Sequence, residues 1–574
     1  MKVSDYIANC LERQGVDVVF EMVGGMITHL LDSLHKRGRA RIISVHHEQA
    51  AAFAVDAYGR MKGRPAVALA TSGPGATNLL TGIGSCYFDS SPAVFITGQV
   101  NRSEQKGDRQ IRQLGFQETD IVSIATPITK ACWSVSDERK VPEILSAAFS
   151  LAVSGRPGPV LIDIPMDVQR CNIDVSLHPA IDTCINEEPV STGGILEFSE
   201  ALKCAQRPLV LVGGGVSASR QIDEFRDFTE YLGAPVVNSL MAVDVLPFNH
   251  PLRVGLIGSY GNRWANLALG RADLLLVLGS RLDVRQTGAD TESFKGGKQI
   301  FQVDCESGEM NNRVKGCTPI LLELSTFFDV AATTLRTHAF PLWQEWKSEI
   351  AASRDHWPDQ QELVNVPGIN PNVLMHRISA VSEKARAYVV DVGQHQMWAA
   401  QSLRIRADQR FLTSGGMGSM GFALPASIGA AFAAGKSPIV LIAGDGGFQC
   451  NIQELQTVVR NRLPIKMIIL NNRCHGMVRQ FQESYFDSRY QSTLWGYSAP
   501  DFAKVAAAYG IASQSINSTE QIDTALVELW RDESAPGLLE VMIDTNANAY
   551  PKLAYGRPIT EMEPFAKPTE MEST

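Results

Sequence analysis

Between Ile439 and Leu455 the chain reads IVLIAGDGGFQCNIQEL. Five apolar residues without polar alternation make a strand buried on both faces, Gly444 to Gly447 make a turn, and the residues after it resume at helical spacing. Twenty-four residues separate Gly446 from Asn471 and Asn472, which end a second strand, IKMIIL, opened by Pro464. A strand, helix and strand of this length form a crossover unit of a parallel sheet, and open parallel sheets hold ligands at their carboxyl edge. An acid, Asp445, and an amide, Asn472, therefore meet at one edge. That pair is too poor a set to cage Ca²⁺. It suits Mg²⁺, which takes its other octahedral positions from phosphate oxygens, water and a backbone carbonyl. Glycines around Asp445 let backbone N–H groups and a helix dipole approach a diphosphate. A Gly-Asp-Gly turn alone is also compatible with a plain tight turn; the Asn-Asn at this spacing is what argues for a ligand.

The same alternation runs outward in both directions. VDVVF, RIISV, PAVALATS, PAVFITG and GPVLIDIP, separated by helix-length stretches, place a parallel α/β domain at residues 1–173. A polar stretch, LHPAIDTCINEEPVSTGG, reads as a linker. PLVLVGGG, PVVNS, DLLLVLGS and KQIFQVD place a central domain at 192–335. After a second linker, AYVVDVG, RFLTSGG, SPIVLIAGDG, IKMIILNN and GLLEVMID define a third at 367–550, followed by a tail at 551–574. The fold class is thus α/β, with three doubly wound parallel-sheet domains. The outer two also match internally: Gly73 precedes Pro92 by 19 positions and Gly444 precedes Pro464 by 20. Either duplication or convergence of two such units explains this.

At 574 residues the chain is too long for one core. A formal net charge of −9 without basic runs argues against nucleic acid or a basic membrane face. Ten cysteines without C-x-x-C spacing read as reduced, buried thiols of a cytoplasmic protein. MKVSDYIANCLERQGVDVVF has a Ser4 cap and an amphipathic first helix, with no signal-peptide core. The apolar stretch from Gly421 to Gly444 is interrupted by Pro425, Lys436 and Pro438, so no transmembrane span is expected.

SVHHEQAAAFAVDAYGR, from Ser44, holds an anomaly. On a helix, Gln49, Asp56 and Arg60 form one polar stripe, while Glu48 points with Ala51, Ala52, Val55 and Gly59 to a small apolar face. By itself Glu48 reads as a first-turn acid stabilised by the helix dipole.

Taken with GDG and NN, SGPGATN, GRPGPVLIDIP, DVGQHQMWAAQ, TSGGMGSMGFALPASIGA, GMVRQFQE and YPKLAYGRPITEM resemble, in the same order, the acetohydroxyacid (acetolactate) synthase branch of the thiamine-diphosphate enzymes. The resemblance implies a carboligase that decarboxylates pyruvate and transfers the two-carbon unit to a second 2-keto acid. It implies Mg²⁺ on Asp445, Asn472 and the carbonyl of Cys474. Thiamine diphosphate would lie against Gly24, Gly25, Pro74, Asn78, Gly393, Gln394, His395, Gly418, Met420, Gly444, Gly446 and Gly447, with Met420 bending it. Glu48 would hydrogen-bond the pyrimidine: burial disfavours its charged form, so it can share a proton with a ring nitrogen. Phe116, Met420 and Phe481 would line the substrate pocket, flanked by Gln117 and Lys130. The family builds its site from two subunits, which implies a homodimer or dimer of dimers; a regulatory subunit is compatible with it.

The central domain lacks G-x-G-x-x-G, but GLIGSYG, GSRLDVRQTG and FQVD resemble the family's FAD-contacting stretches. FAD is implied near Gly214, Gly215, Gly258, Ser280, Arg281, Arg285 and Asp304, with an empty structural domain as the alternative. Arg285 would also be placed to pair with an acceptor carboxylate.

Two departures stand out. Phe481 replaces the tryptophan of biosynthetic synthases, and the charged segment between Gln99 and Phe116 is several residues longer than theirs. Both point to an altered acceptor, such as a ketone or a nucleotide-bound ketosugar. Plain 2-keto acid decarboxylation is a further alternative.

Overall fold

The computed structural model describes residues 1–174, 193–336 and 338–569. The first expected linker therefore lies outside the described residues except for Gly193 and Gly194, which open the helix Gly193–Cys204. Three six-stranded sheets form, each parallel throughout. The first comprises β1 (Val18–Met22), β2 (Arg41–Ser44), β3 (Ala66–Ala70), β4 (Ala93–Gln99), β5 (Ala131–Ser134) and β6 (Pro159–Pro165), in the order β2-β1-β3-β4-β6-β5. The second comprises β7 (Pro208–Val212), β8 (Val236–Asn238), β9 (Arg253–Leu256), β10 (Leu274–Leu278), β11 (Gln299–Asp304) and β12 (Thr318–Leu321), in the order β12-β11-β10-β7-β8-β9. The third comprises β13 (Ala387–Val390), β14 (Arg410–Leu412), β15 (Ile439–Gly444), β16 (Ile465–Asn471), β17 (Ala512–Ile516) and β18 (Gly537–Met542), in the order β14-β13-β15-β16-β18-β17. The outer sheets thus share one strand order.

The chain forms two compact units. Unit 1 holds the described residues up to Asp174 together with Ser414–Lys436 and Asn451–Leu463; unit 2 holds those from Gly193 to Thr413, Ser437–Cys450 and those from Pro464 to Thr569.

In unit 1 the helix Glu48–Lys62 is buried from Ala50 to Gly59, so its polar stripe faces protein. Asp56 is fully buried and pairs with Arg60 at 2.6 Å, and Arg60 also reaches Asp89 at 3.1 Å. Small residues let neighbouring helices close in. A Cβ added at Gly82 would lie 2.2 Å from the Ala52 Cβ, and one at Gly429, in the helix Ala423–Ala433, 2.0 Å from the Ala54 carbonyl oxygen. Phe53 meets Phe422 edge-on at 5.4 Å. Ser4 does not cap the first helix. That helix spans Val3–Arg13 behind Lys2, and Ser4 is fully buried, accepting from the Ser33 hydroxyl at 2.8 Å.

In unit 2 the loop after β8 joins the third sheet through Asp244, which accepts from Arg410 Nε at 2.6 Å and from the Phe411 amide at 3.0 Å. The tail packs on the central domain. The Leu553 amide donates to the Ser259 carbonyl, and Lys552–Leu553 pairs antiparallel with Met562–Glu563. Buried Arg263 pairs with Glu362 at 2.8 Å and donates to the Glu563 carbonyl. The expectation of buried thiols holds for Cys10, Cys86, Cys317 and Cys474, but Cys204, Cys305 and Cys450 are exposed, because each falls at a helix end or past a strand rather than in a core. Among the described residues no helix is long and apolar enough to cross a membrane.

Candidate active site

In unit 2 the third sheet reverses its winding between β13 and β15, and the Gly-Asp-Gly turn and Gln394 both follow directly from those two strands. That is the switch point at which such sheets open a crevice. Asp445 begins the helix Asp445–Cys450 and accepts from the Tyr497 hydroxyl at 3.0 Å; burial pushes its pKa up to about 6, against the hydrogen bonds that lower it. The loop after β16 is shaped by two short asparagine contacts: the Asn471 side chain accepts from the Arg473 amide at 3.0 Å, and that of Asn472 from the Cys474 amide at 3.3 Å. Arg473 is left-handed there, and its amide helps hold the Asp445 carboxylate. Asp445, Asn472 and Cys474 are thereby brought together. Asn472 also donates to Gln394 at 3.1 Å, and Gln394 donates to Gln480 at 3.3 Å.

His395 is buried, burial lowers its pKa to about 3, and its Nε2 has no hydrogen-bond partner among the described residues. A neutral imidazole with an orphaned ring nitrogen is an unmet demand for a ligand. Around it, side chains have been removed: a Cβ at Gly444 would meet His395 Nδ1 at 2.9 Å, one at Gly447 an Asp391 oxygen at 2.5 Å and one at Gly476 the Gln394 oxygen at 1.9 Å. A cradle of backbone with an acid and two amides fits a Mg²⁺-bound diphosphate. No group of three or more acidic, histidine or cysteine side chains that could hold a metal occurs among the described residues, so a metal here would need phosphate oxygens. Cys474 is buried and its thiol is pushed up to about 12, which leaves its backbone carbonyl as the usable donor.

Unit 1 has its own switch point, between β1 and β3. Glu48 is 7% exposed, and its carboxylate accepts from Asn78 Nδ2 at 2.9 Å. A Cβ at Gly75 would lie 3.2 Å from Glu48 Oε1, one at Gly24 2.4 Å from Thr71, and one at Gly73 2.9 Å from Gln117. Glu48, Gly24, Pro74, Asn78 and Gln117 therefore converge, with Gly25 and Phe116 adjacent in the chain. Gln117 holds a left-handed φ of 67°, strain of the kind that sites tolerate, and Phe116 is 80% exposed. Ser72 Oγ and Ser419 Oγ are buried without a partner among the described residues. Met420 is 38% exposed between Gly418 and Gly421, both at positive φ. Two residues missed in the sequence hold this loop. Asp89 accepts from the Gly415 and Gly416 amides at 3.1 and 2.6 Å, and Asn451 donates to the Gly421 carbonyl at 2.9 Å and to Gln49 at 3.0 Å. The Met420 loop is thus tied to the residue after Glu48. Lys130 is not brought to this cluster within the unit: its ammonium donates to the Ser154 and Arg156 carbonyls near the amino edge of β5 and β6. Phe481, in unit 2, is 39% exposed and lies against Tyr485 at 4.8 Å.

The central sheet reverses between β7 and β10. A Cβ at Gly213 or Gly215 would lie 2.2 or 2.7 Å from Gly279 backbone, so bare main chain lines that edge. Gly214, Ser280 and Arg281 sit there; Asp304 ends β11 and accepts from the Glu306 amide at 3.0 Å. Gly258 has φ 103° and packs on the Arg285 carbonyl, whose oxygen accepts from Ser259 at 2.6 Å. Glycine backbone, two arginines and an acid fit a dinucleotide.

Three models of thiamine pyrophosphate enzymes match the chain: the N-terminal TPP binding domain over residues 1–124, the central domain over 195–329 and the C-terminal TPP binding domain over 391–541. Its relatives narrow the class. The acetolactate synthase large subunit of Pyropia yezoensis is 36% identical, covering 98% of this chain and 95% of the relative. The acetolactate synthase isozyme 2 large subunit of Escherichia coli (strain K12) is 35% identical, covering 98% and 99%. The acetolactate synthase large subunit of Lactococcus lactis subsp. lactis (strain IL1403) is 33% identical, covering 97% and 95%. The chain belongs to the thiamine pyrophosphate enzymes, in the family of the acetolactate synthase large subunits.

Proposed function

We propose that this chain is an acetolactate synthase, a carboligase that decarboxylates pyruvate and joins the two-carbon unit to a second 2-keto acid. The observation that carries this reading is the buried, unpartnered His395 Nε2 beside Asp445, Asn472 and a side-chain-free cradle, in a chain of that family. Asp445, Asn472 and the Cys474 carbonyl would hold Mg²⁺. Gly393, Gln394, His395, Gly444, Gly446 and Gly447 would hold the diphosphate. Gly24, Gly25, Pro74 and Asn78 would seat the pyrimidine, with Gly418 and Met420 setting its bend. When bound, thiamine diphosphate supplies a carbon nucleophile and an electron sink for decarboxylation.

The side chains do the rest. Glu48 holds or releases a proton at its carboxylate oxygens, in a pocket that keeps water from competing. Phe116, Met420 and Phe481 exclude water, Gln117 flanks the substrate, and Arg285 offers a two-pronged partner to an acceptor carboxylate. Gly214, Gly215, Gly258, Ser280, Arg281, Arg285 and Asp304 would hold FAD, which serves structure without net redox work. The active assembly is a homodimer or dimer of dimers in the cytoplasm, and the large-subunit naming of the relatives favours a small regulatory partner.

Phe481 and the long segment ending at Phe116 favour a second reading, in which the acceptor is a ketone or a nucleotide-bound ketosugar. Product analysis separates the readings, using purified protein with Mg²⁺, thiamine diphosphate, FAD and pyruvate, then with added 2-ketobutyrate or a ketone. Acetolactate from pyruvate alone supports the synthase. Slow self-condensation that yields a tertiary alcohol once a ketone is added supports the second reading. Aldehyde as sole product makes it a plain decarboxylase, and an absence of pyruvate turnover overturns all three.

A further inference from the structure

The charged segment between Gln99 and Phe116 is gathered in unit 1 by a carboxylate that the mechanism above does not use. Glu118 accepts from the Lys106 amide at 2.6 Å through one oxygen and from the Leu114 amide at 2.8 Å through the other. Its backbone is engaged as well: its amide donates to the Gly115 carbonyl at 3.1 Å, and its carbonyl accepts from Gln113 Nε2 at 3.0 Å. The next residue, Thr119, is fixed to the sheet edge. Its carbonyl accepts from Gln99 Nε2 at 2.8 Å, and the same nitrogen donates to the buried Asp163 carboxylate at 3.0 Å. The segment is thus tied at its ends and in its middle.

These contacts surround a strained turn. The bond from the Glu118 amide to Gly115 closes four residues with Phe116 and Gln117 at their centre, and Gln117, the third of them, is left-handed at φ 67°. That position ordinarily takes glycine, because a side chain there costs conformational energy that the surroundings must offset. Glycines allow close approach on either side: a Cβ at Gly115 would lie 2.8 Å from the Glu104 carbonyl oxygen, and one at Gly73 2.9 Å from Gln117 Cβ. Close approach limits where the turn can go, but it does not pull Gln117 into the left-handed well. Two hydrogen bonds to a charged carboxylate do, because they fix the residue that follows it.

We propose that Glu118 is a positioning residue that presets the turn of Phe116 and Gln117 for substrate; this rests on the reading above in which Gln117 flanks the substrate. Without the clamp the turn leaves its left-handed state, and the apparent affinity for substrate falls by the fraction of chains that stay competent. The loss falls on substrate capture and not on the bound complex, in which the substrate itself orders the turn.

The test uses the full chain loaded with thiamine diphosphate, Mg²⁺ and FAD, and compares Glu118→Leu, which removes both acceptor oxygens, with Glu118→Gln, which keeps one. The KM for pyruvate should rise about tenfold in Glu118→Leu and by a smaller factor in Glu118→Gln, with kcat within about threefold of wild type. Trypsin cleavage after Arg109 or Arg112, both exposed, should speed up about tenfold in Glu118→Leu as the segment opens. A KM unchanged in both variants overturns the proposal even where cleavage speeds up, because Glu118 then only staples the segment. A fall in kcat at constant KM overturns it as well, since that is loss of folded enzyme. If the wild-type chain does not turn over pyruvate, the carboligase reading falls and trypsin alone decides the clamp: cleavage of Glu118→Leu at the wild-type rate overturns it.

Discussion

Glu48 accepts a hydrogen bond from Asn78 Nδ2 at 2.9 Å and opens a helix whose buried face is made mostly of small apolar residues. Glu48→Gln should lower pyruvate turnover by about 10²- to 10⁴-fold, while thiamine diphosphate still binds, as followed by tryptophan fluorescence. A retained turnover would remove Glu48 from the chemistry. Asp163 shows a different use of burial. It accepts from Thr97 at 2.6 Å and Gln99 at 3.0 Å, and burial raises its pKa to about 7. An acid raised on folding holds its proton where the unfolded chain has lost it. Its contribution therefore favours the fold at low pH, declines as pH rises from about 4 to 7, and is constant above that. Asp163→Asn should flatten that decline in melting temperature, measured between pH 5 and 8; an unchanged slope would assign it elsewhere. At this scale Asp445, Asn472 and Glu48 were legible because each breaks a local pattern. Asn451 and Asp89 were not. Their partners lie hundreds of positions away, at Gln49 and at Gly415 and Gly416, and no spacing rule links them.

The helix pair Glu48–Lys62 and Ala423–Ala433 depends on the absence of side chains where the two cross. Gly429→Ala would press a methyl into the Ala54 carbonyl. Overpacking of this kind costs about 1–3 kcal/mol, and the thermal transition should move down by a few degrees. No change in the transition would mean that the helices are free to part. Strands show what sequence reading reaches at the element scale. The four it omitted from the three six-stranded sheets, β5, β9, β12 and β17, all lie at sheet edges. Central strands are covered on both faces and read as unbroken apolar runs. An edge strand such as ASQSI, half exposed along its length, reads as a loop.

For the whole molecule, the shared strand order of the outer sheets supports duplication over convergence, with Glu48 retained by one copy and Asp445 by the other. If the active sites form between subunits, mixing Glu48→Gln with Asp445→Asn chains should restore about a quarter of wild-type turnover, because half the dimers are mixed and each has one intact site. Measured activity that stays at the level of the single variants would place each site within one chain. The three sheets were legible from the alternation of strands and helices. The grouping of Ser414–Lys436 and Asn451–Leu463 with the first sheet was not, since it follows from tertiary packing and not from order along the chain.

The contact at Gly429 reaches beyond the molecule to its gene. Every amino acid that one nucleotide change can make from a glycine codon carries a β-carbon, and any β-carbon there would collide with the Ala54 carbonyl. The codon can drift silently in its third base and nowhere else, so inheritance has no gradual route through that position.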